Sequence, residues 1–224
     1  IDMWHSAYTS ELEQDKSLIG NANAIYSKGL IPDISKVTVD DIDKLIQSAD
    51  KAVEDIIYET DLSKALKDAD LVIEAMAEDK DQKIEMYKKM APLYEDKTIV
   101  VSNSSTMLPS TFVEYTGKDE KYMNLHFANS IWRFNTAEVM GHDGTDPAVY
   151  AEVVKFADEI NMIPLELHKE QPGYILNSML VPFLSAAQAL WATGVADVPT
   201  IDKTWELATG APAGPFKILD IVGL

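Results

Sequence analysis

Leu71-Val-Ile-Glu-Ala75 is an apolar run interrupted by one acid, and it follows a short helical segment, Asp61 to Ala69. A run of this kind reads as a buried parallel strand, because a parallel sheet is covered on both faces. Downstream, Lys80 to Tyr94 has the spacing of an amphipathic helix, and Thr98-Ile-Val-Val-Ser102 is the next buried strand. Pro109 starts a brief helix, and Tyr122 to Phe127 forms a further strand. Asp146-Pro147 caps another helix, with Asp as N-cap and Pro at its first position, and Pro164 to His168 reads as the last strand.

Upstream, residues 4–30 read as mostly helical and polar, ending near Gly29 and Pro32. A second helix opens at Thr38 and runs to about Glu54, with Ile42, Leu45, Ile46, Ala49, Ala52 and Val53 on its apolar side. Ile56-Ile-Tyr58 is short and β-branched, which predicts a strand. From Tyr174 onward the strand signals stop, and helices are expected over Tyr174 to Trp191, Ile201 to Ala208 and from Phe216. The expected fold class is therefore α/β: a Rossmann-type doubly wound domain over residues 1–171, then an all-α domain over 172–224.

In such sheets ligands lie beyond the carboxyl ends of the strands. Three polar clusters fall there: Glu74 to Glu78, Ser102 to Thr106, and His126 to Asn129. His126 is followed twelve residues later by Glu138, which enters a second short strand. A carboxylate beside an imidazole holds its tautomer and stabilises the imidazolium, which makes a positioned general acid/base. Asn177 lies inside an apolar helix, where a buried amide needs a partner.

The chain has 224 residues, no cysteine and a formal net charge of -18. Disulfides, thiolate metal sites and cysteine nucleophiles are excluded. His5, His142 and His168 form no ligand cluster, so no metal is expected. The acidity argues against nucleic acid, and no apolar stretch reaches the length that spans a bilayer. The expected partner is a small-molecule substrate, and the expected compartment is the cytoplasm. Of 19 basic residues one is arginine, Arg133, which lies between His126 and Glu138 and has the chemistry to clamp an anion, or stands on the surface.

Six segments occur in the order and spacing of the short-chain L-3-hydroxyacyl-CoA dehydrogenases, over roughly residues 55–224. They are Asp70-Leu-Val-Ile-Glu-Ala75, Ser102-Asn-Ser-Ser-Thr106, Leu125-His-Phe-Ala-Asn129, Ala137-Glu-Val139, Pro172-Gly-Tyr-Ile-Leu-Asn177 and Gly210-Ala-Pro-Ala-Gly-Pro-Phe216. The chain resembles this family, and within it the diketoreductase-like branch. The resemblance implies NAD as cofactor, His126 as acid/base, Glu138 as its partner, and Ser105 and Asn177 as holders of the reacting oxygen. It also implies that Ala75, Glu78, Lys83, Asn103, Ser105 and Asn129 line the nicotinamide half of the cofactor site. The implied reaction interconverts a 3-hydroxyacyl-CoA and its 3-oxo form, in a homodimer. Where the family usually has Phe-Phe-Asn-Pro, this chain has Phe127-Ala-Asn-Ser130, a change that favours non-CoA 3-hydroxy or diketo esters or sugar acids as the alternative. An inactive structural homologue is the alternative from another class. The Gly-rich pyrophosphate loop is expected upstream of Ile1, and the chain is expected to be an internal fragment.

Overall fold

The computed structural model describes residues 1–19, 31, 36–129, 131–132 and 134–223. Residues 20–30 of the mostly helical stretch expected over 4–30 lie outside the described residues, as do Ser130 and Arg133. The chain divides into two compact units, Ile1–Glu170 and Gln171–Leu224.

The first unit contains a five-stranded sheet in the order β1 (Leu71–Glu74), β2 (Ile99–Ser102), β3 (Tyr122–Phe127), β4 (Thr136–Met140), β5 (Ile163–Leu167). Strands β1, β2 and β3 run parallel, so their carboxyl ends share one edge. Strand β4 pairs antiparallel with β3 and parallel with β5. The sheet is thus mixed.

Alternate residues of each strand point to opposite faces. Ile99, Val101, Met123, Leu125, Ala137 and Val139 pack on one face against Val153 and Ala157 of α6 (Pro147–Glu159). Val100 and Tyr122 pack on the other with Tyr87 and Met90 of α4 (Lys80–Met90), Phe112 and Leu66. Buried apolar area of this kind is the main stabilising term, at roughly 25 cal/mol per Å². On the α4 face the strand ends turn polar. Glu74, Ser102 and Asn124 stand side by side in register, and all three are buried. Helix α4 starts where Asp79 accepts Gln82 N, and Lys83, Tyr87 and Met90 form its buried stripe.

Helices α1 (Asp2–Lys16) and α2 (Val39–Asp55) form a smaller cluster around Leu12, Ile31 and Ile42. A capping box between Thr38 and Asp41 opens α2. Short turns of helix are α3 (Leu62–Ala65) and α5 (Val113–Thr116). Ile56 to Tyr58, expected as a strand, pairs with no strand among the described residues and is exposed, with Ile57 at 87%. A β-branched run becomes a strand only where another strand pairs with it.

Among its described residues the second unit has three helices: α7 (Leu176–Ala192), α8 (Val198–Thr209) and α9 (Pro215–Val222). Asp197 caps α8 by accepting Thr200 N at 2.9 Å. Buried Asp202 caps the next helix, taking Phe216 N at 2.8 Å and Lys217 N at 3.1 Å. Gly214 is required at this junction, since a Cβ there would stand 2.5 Å from Asp202 Cα. Trp205 packs on Phe183 and Trp191 on Phe216, as residues of helix contacts.

Candidate active site

The antiparallel turn from β3 into β4 places Glu138 directly opposite His126. His126 Nδ1 lies 3.2 Å from Glu138 Oε2, and both residues are buried. An ionised carboxylate only accepts, so in that state Nδ1 carries the proton of this contact. Nε2 is then the nitrogen that can take up or release a proton. The twelve-residue spacing follows from the antiparallel register of β3 and β4, in which Phe127 stands opposite Ala137 and His126 opposite Glu138.

Beneath the strand ends lies a polar network that sequence reasoning missed. Glu74 Oε1 and Oε2 accept Lys83 Nζ at 2.7 and 2.9 Å. Glu74 also accepts Tyr87 Oη at 2.9 Å, Ser102 Oγ at 2.7 Å and Met76 N at 2.6 Å. Burial would raise the Glu74 pKa, but the donors Lys83, Ser102 and Met76 outweigh it and hold the carboxyl below its usual range. Tyr87 Oη reaches Tyr122 Oη at 3.0 Å, and burial pushes the Tyr87 hydroxyl well above its ordinary value, with Tyr122 and Glu74 adding to the effect. The available signal was one acid inside an apolar strand: buried Glu74 demands donors, and these come from α4 and β2.

Lys83 is 1% exposed. It is not a solvated charge at a helix start; its ammonium sits on Glu74 and 3.6 Å from Glu78. Glu78 accepts Ser104 Oγ, Thr106 N and Thr106 Oγ1. Burial opposes its ionised form, and Ser104 and Thr106 more than compensate, so its pKa lies below the usual value. Asn103 donates its N to the Glu74 carbonyl at 2.8 Å, and its Oδ1 accepts Phe127 N at 2.9 Å. It therefore ties the ends of β1, β2 and β3 together. Ala75, Ser105 and Asn129 are exposed in the loops that follow these strands. The cluster of strand ends thus contains His126, Glu138, Glu78, Lys83, Asn103, Ala75, Ser105 and Asn129.

Asn177 belongs to the other unit, where it stands half-buried in the first turn of α7. Gly173 and Tyr174 both have positive φ, +77° and 54°, and turn the chain into that helix. Trp132 packs on Trp4 in the first unit, ring centroids 5.0 Å apart.

Residues 21–171 match the family model described as 3-hydroxyacyl-CoA dehydrogenase, NAD binding domain, and residues 173–224 match the C-terminal domain model of the same enzyme. The chain belongs to the 3-hydroxyacyl-CoA dehydrogenase family. Human mitochondrial hydroxyacyl-coenzyme A dehydrogenase is 30% identical over 201 residues, which is 88% of this chain and 64% of that protein. The 3-hydroxybutyryl-CoA dehydrogenase of Clostridioides difficile is 31% identical over 159 residues, 71% of this chain and 56% of that one. A solved diketoreductase, described by its substrate-directed dual catalysis of dicarbonyl compounds, is 48% identical with a TM-score of 0.77; the match covers 96% of this chain and 70% of that one. The chain of this family member spans less than two thirds of the length of the two curated relatives. Among its described residues no helix is long and apolar enough to cross a membrane.

Proposed function

We propose that this protein is an NAD-dependent oxidoreductase that interconverts a 3-hydroxy and a 3-oxo group by hydride transfer. The buried His126–Glu138 pair at the end of β3 supports this reading most strongly. The residues suit the nicotinamide half of the cofactor. Three parallel strand ends meet at one edge, with small Ala75, the amides of Asn103 and Asn129, and the Ser105 hydroxyl in their loops. NAD, when bound, supplies or accepts the hydride.

The chain's own part is geometry and proton transfer. In the reducing direction His126 donates a proton from Nε2 to the oxygen that gains negative charge; in the oxidising direction it takes the hydroxyl proton. Glu138 keeps Nδ1 protonated and offsets the imidazolium charge. Ser105 hydrogen-bonds the same oxygen and fixes it for transfer. Glu78, Lys83, Asn103 and Glu74 hold the loops in place around these groups.

Two substrate classes fit. Family membership favours a 3-hydroxyacyl-CoA of the 3-hydroxybutyryl type. The 48% identity to the diketoreductase and the formal charge of -18 favour an uncharged diketo ester. Steady-state oxidation of NADH by the complete protein against acetoacetyl-CoA and a 3,5-dioxo ester separates them. Turnover of neither would contradict the proposed reaction. The helical unit also leaves apolar side chains outside, among them Met179, Val181, Leu190 and Trp191. This supports a homodimer, and a monomeric mass by light scattering would exclude it.

A further inference from the structure

Glu78 stands in the loop after β1 with its side chain about a third exposed, at 34%. Its Oε1 nevertheless gathers three donors from the loop after β2: Ser104 Oγ at 2.5 Å, Thr106 N at 2.9 Å and Thr106 Oγ1 at 2.8 Å. These donors flank Ser105 on both sides. Below them Ser104 N donates to Ser102 Oγ at 3.2 Å, and Ser102 Oγ donates to buried Glu74. Lys83 lies between the two carboxylates, 2.7 Å from Glu74 and 3.6 Å from Glu78. The loop carrying Ser105 is therefore fastened at both neighbours to one ionised side chain. Hydrogen bonds to a carboxylate are shorter and stronger than neutral ones, so this clamp defines the backbone at Ser105 closely. Exposed Ser105 gains a fixed place without being buried itself.

We propose that Glu78 is the positioning residue of Ser105, acting through Ser104 and Thr106. The proposal rests on the reading of Ser105 as the hydroxyl that holds the reacting oxygen. The clamp and a contact to cofactor predict different kinetics. Loss of a clamp displaces a group needed in the transition state and lowers kcat. Loss of a cofactor contact raises KM for NADH.

The test is a double-mutant cycle in the complete protein, with Glu78→Ala, Ser105→Ala and both together. NADH is the cofactor, and the substrate is acetoacetyl-CoA or a 3,5-dioxo ester, whichever the wild type reduces. Glu78→Ala should lower kcat about tenfold or more, since a displaced group is costly even at a shift of about 1 Å. KM for NADH should hardly change. In the Ser105→Ala background the same change should cost nothing further, because coupled residues are not additive. Glu78→Gln, which keeps an acceptor oxygen, should recover part of the rate. Equal losses in both backgrounds, or a loss confined to KM for NADH, would overturn the role of Glu78 alone. An unchanged kcat in Ser105→Ala would remove the reading of Ser105, and the clamp's purpose with it. Should Glu78→Ala melt early, Thr106→Val removes one of the donors and runs the same cycle.

Discussion

His126 and Glu138 are opposed residues of the antiparallel pair β3–β4, with Nδ1 and Oε2 3.2 Å apart. The sheet itself makes this contact. Opposed side chains on one face of an antiparallel pair are held close by the backbone ladder. No loop has to be ordered to bring acid and imidazole together. Helix α6 covers the opposite face of these strands, so the dyad belongs to the α4 side by alternation.

Replacing Glu138 by Gln tests the electrostatic share of this contact. The amide still fills the space and still offers an acceptor oxygen, but it does not offset the imidazolium. Reduction of the 3-oxo substrate should slow by roughly 10²-fold in kcat, with the melting temperature little changed. A rate within the scatter of wild type would show that the carboxylate charge is not used.

The Glu74 network predicts acid lability. Its folded pKa lies below the ordinary carboxylate value, because Lys83, Ser102 and Met76 donors outweigh burial. A depressed folded pKa stabilises the fold at pH above the unfolded value, about 4.3 for Glu, and this contribution is lost as pH falls through the folded one. The urea midpoint should therefore drop below about pH 4.3, and less steeply in Glu74→Gln than in wild type. At neutral pH Lys83→Met should cost about 3–5 kcal/mol, since it leaves a buried carboxylate without its cation. Equal acid slopes for the two proteins would contradict the assignment.

Gly214→Ala should destabilise the helical unit by about 1–3 kcal/mol, because the added methyl would meet Asp202 side chain and backbone at 2.4–2.5 Å. Thermal unfolding followed by circular dichroism reads this as a lowered transition. An unchanged transition would mean that the α8–α9 junction gives way freely.

The sequence carried much of this layout, and its failures have physical causes. The strands at Leu71 and Ile99 were legible because buried parallel strands are near-continuous apolar runs, while Tyr122 to Phe127 keeps an apolar frame broken by Asn124 and His126. The pairing direction of β4 was not, since period-two alternation is the same in either direction; only the short return from Phe127 to Thr136 hints at a hairpin. Ile56 to Tyr58 misled because propensity speaks for one strand and pairing needs two. At the site, His126 and Glu138 could be read as a pair from their residue types and spacing. The cradle of Glu74, Ser102, Tyr87 and Tyr122 could not, because its members lie up to 48 positions apart and meet only through register and the inner stripe of α4. The resemblance puts Lys83 at the cofactor site, but its ion pair with Glu74 is hidden in the sequence for the same reason.

Proton transfer by His126 is tested by His126→Gln in the complete protein, assayed with NADH and whichever of acetoacetyl-CoA or the 3,5-dioxo ester the wild type reduces. The variant keeps a polar side chain of similar reach and removes the transferable proton. With the fold intact, kcat should fall about 10²- to 10⁴-fold. Turnover at the wild-type rate would contradict the assignment of His126 as the acid/base.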